Sequence, residues 1–156
     1  MVTTAGDIMS SPAITIAPSA SVAEIASLLS KRHISGVVVS GPDGRMLGLV
    51  SEGDLLRPFR ESAKLRRDWW LGLLAAGEEL SQAFLDYIRV DTRTATDVMV
   101  ANVITADESA TLPQLAELMM QHRIKRVPIM RNGRVAGIVS RGDLVAAIAR
   151  APALLM

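Results

Sequence analysis

"LGLVSEGDL", Leu47–Leu55, and "AGIVSRGDL", Ala136–Leu144, are one nine-residue pattern written twice in the same chain. A short apolar run leads into a serine, a glycine and an aspartate at fixed spacing. The likeness extends outward from both copies. Asp7 meets Asp97, Met9 meets Met99, and Ile14-Thr15 meet Ile104-Thr105, when "AGDIMSSPAITIAPSASVAEIASLL" is laid over "ATDVMVANVITADESATLPQLAELM". Further on, "ISGVVVSGPDGRMLGLVSEGDLL" lies over "IKRVPIMRNGRVAGIVSRGDLV", with one residue gained in the first turn. The chain therefore contains two copies of one unit, Ala5–Pro58 and Ala95–Ala147, and a repeat of this length sets the architecture.

Each unit reads the same way. A short strand, "AITIA" or "NVITA", comes first. A helix follows, opened by Ser21-x-x-Glu24 or Thr111-x-x-Gln114, both capping boxes in which two side chains satisfy the first free backbone N–H groups. Val22, Ile25, Ala26 and Leu29 recur at helical spacing, as do Leu112, Leu115, Ala116 and Met119, so one face of each helix packs inward. The β-branched runs "ISGVVV" and "IKRVPIM" read as strands. Each passes through a turn, "GPDG" or "RNG", into a second strand, "MLGLVS" or "VAGIVS". A last helix starts near Gly53 or Gly142. The expected fold is α+β (α/β in its local order): two β-α-β-β-α repeats related by a pseudo-two-fold axis and packed sheet to sheet. The expected organisation is 1–58 for the first repeat, 59–94 for an insertion and 95–156 for the second repeat with its C-terminal helix.

Composition narrows the chemistry. The 156 residues include no cysteine, which excludes a disulfide framework, a thiolate nucleophile and a cysteine metal site. The net charge is +1, so overall charge argues neither for nor against a polyanion. Apolar residues make up 49% and aromatics only 3%, which points to an aliphatic core. No apolar run approaches the roughly 18 residues that span a bilayer. The start, "MVTTAGDIMSSP", has no basic, hydrophobic signal pattern. A cytoplasmic protein without a membrane span is expected.

Ser51–Asp54 and Ser140–Asp143 carry the repeated S-x-G-D. Its plain reading is a helix cap, with glycine easing the strand-to-helix turn. A helix start also presents free N–H groups and a partial positive charge, which suit a phosphate. A carboxylate there can accept hydrogen bonds from two hydroxyls, which suits a ribose.

The order of elements, the "DIM" and "DVM" leads, "HRIKRVPIM" and the twin G-[LI]-V-S-x-G-D-L together resemble a tandem pair of cystathionine-β-synthase (CBS) domains, a Bateman module, with a helical insertion between the two motifs. The resemblance covers about two thirds of the chain. It implies a non-catalytic regulatory module that binds adenine nucleotides (AMP, ADP, ATP) or S-adenosylmethionine in clefts between the motifs. It implies ribose contacts by Asp54 and Asp143, and ribose or phosphate contacts by Ser51 and Ser140. An adenine ring would sit against Ile14, Thr15, Val37 and Val38 in one site and Ile104, Thr105, Val127 and Pro128 in the other. Plain sheet core is the alternative role for these eight. Val38 stands where a proline like Pro128 is expected.

His33 and His122 each precede a β-branched run. A histidine there usually contacts the helix end. The resemblance offers phosphate contact by His122 and Arg123. Two distant histidines do not make a metal site. Lys125, Arg126 and Arg141 complete a basic group in the second repeat, where the first has Ser35, Gly36 and Glu52. The expectation is that the cleft containing Asp143 is the more cationic and favours polyphosphates, unless cations of one repeat reach the other's cleft.

The insertion, "ESAKLRRDWWLGLLAAGEELSQAFLDYIRVDTR", reads as a helical hairpin broken at Gly77. All five aromatic residues lie in 59–87, outside the repeats. Trp69 and Trp70 would anchor an oligomer or partner surface. Arg57, Arg60, Lys64, Arg66 and Arg67 form a basic run, read first as a solvated helix face. A homodimer and a regulated protein partner are expected, and nucleic acid is not. No catalytic residue is assigned, because no nucleophile elbow, Gly-rich phosphate loop or metal-ligand cluster is present; no cofactor is required. The rival reading is a homodimeric interaction scaffold that uses the tryptophan insertion and no physiological nucleotide.

Overall fold

The computed structural model describes residues 2–61 and 92–151. The expected helical hairpin of the insertion, with Trp69, Trp70 and the cations Lys64, Arg66 and Arg67, lies outside the described residues.

The first half runs α1 (Ala5–Ile8), β1 (Thr15–Ile16), α2 (Val22–Arg32), β2 (Gly36–Ser40), β3 (Met46–Ser51) and α3 (Glu52–Glu61). The second repeats it as α4 (Ala95–Val98), β4 (Ala106–Asp107), α5 (Leu112–His122), β5 (Arg126–Arg131), β6 (Arg134–Ser140) and α6 (Arg141–Arg150). Each half has a three-stranded sheet, with β2 between β1 and β3 and β5 between β4 and β6. The first pairing is parallel and the second antiparallel. The first strands are shorter than the sequence suggests: "AITIA" and "NVITA" keep only two ladder residues each.

Local chemistry sets the ends of these elements. Ser21 Oγ accepts from the N–H of Glu24 at 3.1 Å. In α5 the box is reciprocal: Thr111 N–H donates to Gln114 Oε1 at 2.9 Å, and Gln114 N–H to Thr111 Oγ1 at 3.3 Å. Each such cap is worth about 0.5–2 kcal/mol. The one-turn helices α1 and α4 explain the aspartates of "DIM" and "DVM". The N–H groups of Thr4 and Thr94 donate to Asp7 and Asp97 Oδ2, both at 2.8 Å. Between β5 and β6 only Asn132 and Gly133 remain, both at positive φ, as a two-residue hairpin turn requires.

The central strands are buried on both faces. Val37 and Val39 join Val22, Ile25 and Leu29 of α2 in one core. Val127 and Ile129 join Leu112, Leu115 and Met119 of α5 in the other. Val38 and Pro128 point the opposite way, yet are also fully buried. A strand covered on both sides reads as a continuous apolar run, as "VVV" and "VPI" do.

The cores do not coincide with the sequence repeats. Ala5, in the first repeat's leader, is fully buried in the second repeat's core. Ala95 and Val98 sit in the first repeat's core. Backbone hydrogen bonds hold both crossings: Ala5 N–H donates to Ala110 O at 2.7 Å, and Ala95 N–H to Ala20 O at 2.8 Å. Ser10 and Ile138 exchange a pair of bonds, as do Leu49 and Val100. Each half therefore contributes the start of its leader, residues 5–10 or 95–100, to the other.

The exchange dictates one glycine of the repeated motif. A β-carbon at Gly137 would lie 2.6 Å from the Ser10 carbonyl oxygen and 2.7 Å from Met9 Sδ. At Gly48 it would lie 2.7 Å from the Val100 carbonyl oxygen and 2.6 Å from Met99 Sδ. In the second repeat the glycine of S-x-G-D answers no such close approach. At Gly142 an added β-carbon would meet only Ser140 Oγ, at 3.5 Å.

Candidate functional site

The strand-to-helix corner of each repeat holds its serine and aspartate close together. Ser51 N–H and Oγ–H donate to Asp54 Oδ2 at 2.8 and 3.0 Å. Ser140 N–H donates to Asp143 Oδ2 at 2.9 Å, and Asp143 N–H returns a bond to Ser140 Oγ at 3.1 Å. The corners differ most in their cations. Arg57, one turn along α3, donates to Asp54 Oδ1 at 2.7 Å, and Asp54 is only 8% exposed. Ala146 occupies the matching position in α6. Among the described residues no cation pairs with Asp143.

Each corner faces material from the other repeat. The first cleft, about 670 Å³, places Ser51, Glu52, Gly53, Asp54 and Arg57 opposite Asn102–Ile104 of the second leader and Arg123–Arg126 at the end of α5. The second, about 260 Å³, places Ser140 and Asp143 opposite Pro12–Ile14 of the first leader and His33–Gly36 at the end of α2. Small-molecule sites commonly occupy about 300–1,000 Å³. The first cleft lies well inside that range and the second just below it.

The sequence-derived residues sort accordingly. Ser51, Asp54, Ile104, Arg123, Lys125 and Arg126 line the first cleft. Ile14, Ser140, Asp143 and again Arg126 line the second. Thr15, Thr105, Val37, Val38, Val127 and Pro128 line neither cleft, and the last four are fully buried in the sheets. His122 and Arg141 are exposed and line neither.

The expected charge asymmetry is corrected: it belongs to the opposite cleft. Arg123 and Lys125 do not serve Asp143. The crossing brings them to Asp54, beside Arg57 and Arg126. The Asp143 cleft has Arg126 and, from the first repeat, His33. Sequence reasoning assigned Arg57 to a solvated basic run, although its position three residues after Asp54 on one helix was a usable signal. Asn102 and Val103 could not be found that way, because nothing in a leader says which repeat it will cover.

His33 and Arg123 occupy matching places, and both cap a helix in the left-handed region at φ 53. Their backbone N–H groups return to carbonyls of the last turn. Glycine takes this conformation at least cost, and side-chain-bearing residues there concentrate at functional sites. Arg123→Gly is therefore expected to leave the melting temperature unchanged or slightly higher, while weakening a phosphate ligand in the first cleft by roughly tenfold, the worth of one charge-assisted contact. Parallel melting and titration curves check this; a fall in stability without a fall in affinity would make Arg123 a cap only.

Arg126 is partly buried and held in place. Its Nη2 donates to Ser35 Oγ at 3.0 Å, and its Nε is buried without a hydrogen-bond partner. Burial holds its pKa below the usual value; the carboxylates of Glu52 and Asp54 pull it up, and Arg141 adds to the depression.

The CBS domain family model matches residues 5–61 and 95–150. The uncharacterized protein MJ1426 of Methanocaldococcus jannaschii is 31% identical over 153 residues, 91% of this chain and 89% of that protein. CBSX2, a chloroplastic CBS domain-containing protein of Arabidopsis thaliana, is 25% identical; the alignment covers 85% of this chain but only 57% of that protein. Among solved structures, the CBS-domain containing protein ATU1752 from Agrobacterium tumefaciens aligns at TM-score 0.69 with 30% identity, covering 93% of this chain and 98% of that one. The CBS domain pair of protein MJ0100, in complex with 5′-methylthioadenosine and S-adenosyl-L-methionine, aligns at TM-score 0.69 with 25% identity, covering 94% and 99%.

Proposed function

Because the chain belongs to the CBS domain family, as a tandem pair, we propose that it is a regulatory module that binds adenosyl ligands reversibly in its two clefts and performs no chemistry of its own. The observation that carries this reading is the build of the first cleft. A carboxylate at the start of α3 faces Arg123, Lys125 and Arg126 across a cavity of about 670 Å³. A diol at the carboxylate and a phosphate at the cations are the groups that such a pairing selects. The adenosyl complexes of the related MJ0100 pair support the ligand class.

The Asp54 cleft takes the more phosphorylated ligand, and the smaller Asp143 cleft a less charged one. Ligand binding shifts the relation between the repeats, which is what a regulated partner senses. A second copy of the chain belongs to the same reading. Leu56 on α3 and Val145 on α6 hold matching positions and are 43% and 63% exposed, an apolar face that another copy can cover. Among the described residues no helix is long and apolar enough to cross a membrane.

Titration calorimetry of the full chain with AMP, ATP and S-adenosylmethionine is expected to give saturable heat, with guanine nucleotides weaker. No heat from any of the three at millimolar concentration would overturn the reading. Denaturing the purified protein and identifying what is released names the resident ligand.

A further inference from the structure

Arg126 and Gly36 occupy equivalent positions in the two repeats, each pairing with the serine of its own S-x-G-D motif: Arg126 with Ser140, and Gly36 with Ser51. They also touch one another. A β-carbon on Gly36 would fall 2.6 Å from Arg126 Cδ and 2.8 Å from its Nε. A residue that meets its own repeat counterpart lies at the pseudo-two-fold axis, and a group on that axis is common to both clefts. Arg126 indeed lines both. There is room for one long side chain at the axis, not two: glycine in the first repeat is what admits arginine from the second.

We propose that Arg126 is a single cation shared by the two clefts, so that anionic ligands in them bind with negative coupling. The inference rests on the nucleotide reading and adds its regulation. A guanidinium has five donors. Among the described residues only one hydrogen bond to Arg126's side chain is present, from Nη2 to Ser35 on the second cleft's wall. Glu52 and Asp54, on the first cleft's wall, attract its charge. The side chain is thus held from both sides with donors to spare, and a phosphate in either cleft would engage it. Once it is committed to a phosphate in the first cleft, the second cleft loses its arginine and, of the described residues that line it, keeps His33 as the one basic group. A ligand without phosphate has no claim on Arg126 and shows no coupling. Coupling of this kind is reciprocal between the sites and commonly amounts to 5–150-fold in affinity.

The test compares the affinity of the second cleft with the first cleft filled and empty. ATP is titrated into the full chain, whose second binding event reports the Asp143 cleft beside an occupied neighbour. It is then titrated into Arg123→Ala/Lys125→Ala, in which the first cleft lacks two of its phosphate-facing cations while Asp54, which attracts Arg126, stays in place. The expected result is ATP binding to the Asp143 cleft roughly tenfold tighter in that double variant than in the second event of the unaltered chain. Adding Arg126→Gln to the double variant should remove that gain. With 5′-methylthioadenosine, which lacks phosphate, the two values should agree. Equal ATP affinities with the first cleft filled or empty overturn the shared cation while leaving nucleotide binding intact. A gain that survives Arg126→Gln assigns the coupling elsewhere and overturns the proposal as well. No binding of either ligand to any form overturns the nucleotide reading and the coupling together.

Discussion

Gly137→Ala is expected to lower the melting temperature by roughly 4–10 °C, since overpacking commonly costs about 1–3 kcal/mol and each kcal/mol shifts a chain of this size by a few degrees. The methyl group would stand 2.6 Å from the Ser10 carbonyl oxygen. Met9 Sδ, at 2.7 Å, can swing aside, but the carbonyl cannot. Ser10 and Ile138 donate to one another at 2.9 and 3.1 Å, so relieving the contact means breaking the crossing. The loss then reaches function, because the same leader carries Pro12, Ala13 and Ile14 into the second cleft. Ligand affinity should fall there and hold in the first cleft. Gly48→Ala should do the reverse through Val100 and Asn102. Gly142→Ala is the control: the added carbon makes only an ordinary contact, alanine is the better helix former, and no loss of stability is expected. Thermal melts followed by titration measure all three. An unshifted Gly137→Ala melt would mean that the leader yields more easily than its hydrogen bonds suggest.

Asparagine at the two motif aspartates should separate capping from binding. Asp54→Asn and Asp143→Asn keep an oxygen that can accept from Ser51 or Ser140, so the helix starts survive. What each variant loses is the charge and the capacity to accept from both hydroxyls of a diol. A hydrogen bond to a charged group is worth about 1.5–3 kcal/mol, so the affected cleft should weaken by roughly 10–100-fold. Asp54→Asn should weaken the tight nucleotide event and Asp143→Asn the weak one. The two should also differ in character. Asp54→Asn releases Arg57 from its bond at 2.7 Å, and the freed guanidinium can turn to a phosphate. Its loss should therefore be larger for adenosine than for ATP. Asp143, with no such partner among the described residues, should show one loss for both. Titrations of each variant with adenosine and ATP read this directly. Unchanged affinities would reduce both carboxylates to helix caps.

Much of this molecule is legible along the chain. The nine-residue pattern at Leu47 and Ala136 established a duplicated unit. Helical spacing at Val22, Ile25 and Leu29 marked the buried face, and Ser21 and Thr111 marked the helix starts. Such signals are local: a cap or an amphipathic stripe involves residues within a turn or two of one another, and the physics of one segment is complete within that segment. The twin S-x-G-D motifs were visible for the same reason, each a closed arrangement over four residues.

Only the tertiary structure decided which pieces face each other. The two leaders share one pattern, with Asp7 and Met9 matched by Asp97 and Met99, and so do the surfaces that receive them. Ala5 or Ala95 would bury equally well in either core as far as local pattern can say. The choice was made by chain geometry and by the backbone hydrogen bonds from Ala5 to Ala110 and from Ala95 to Ala20. That choice moved Arg123 and Lys125 from the aspartate of their own repeat to Asp54, and brought Arg126 against Gly36 at the axis. A repeat states its own elements twice, but long-range pairing between partners of like pattern is degenerate in sequence, and the degeneracy is lifted only when the two halves close on one another.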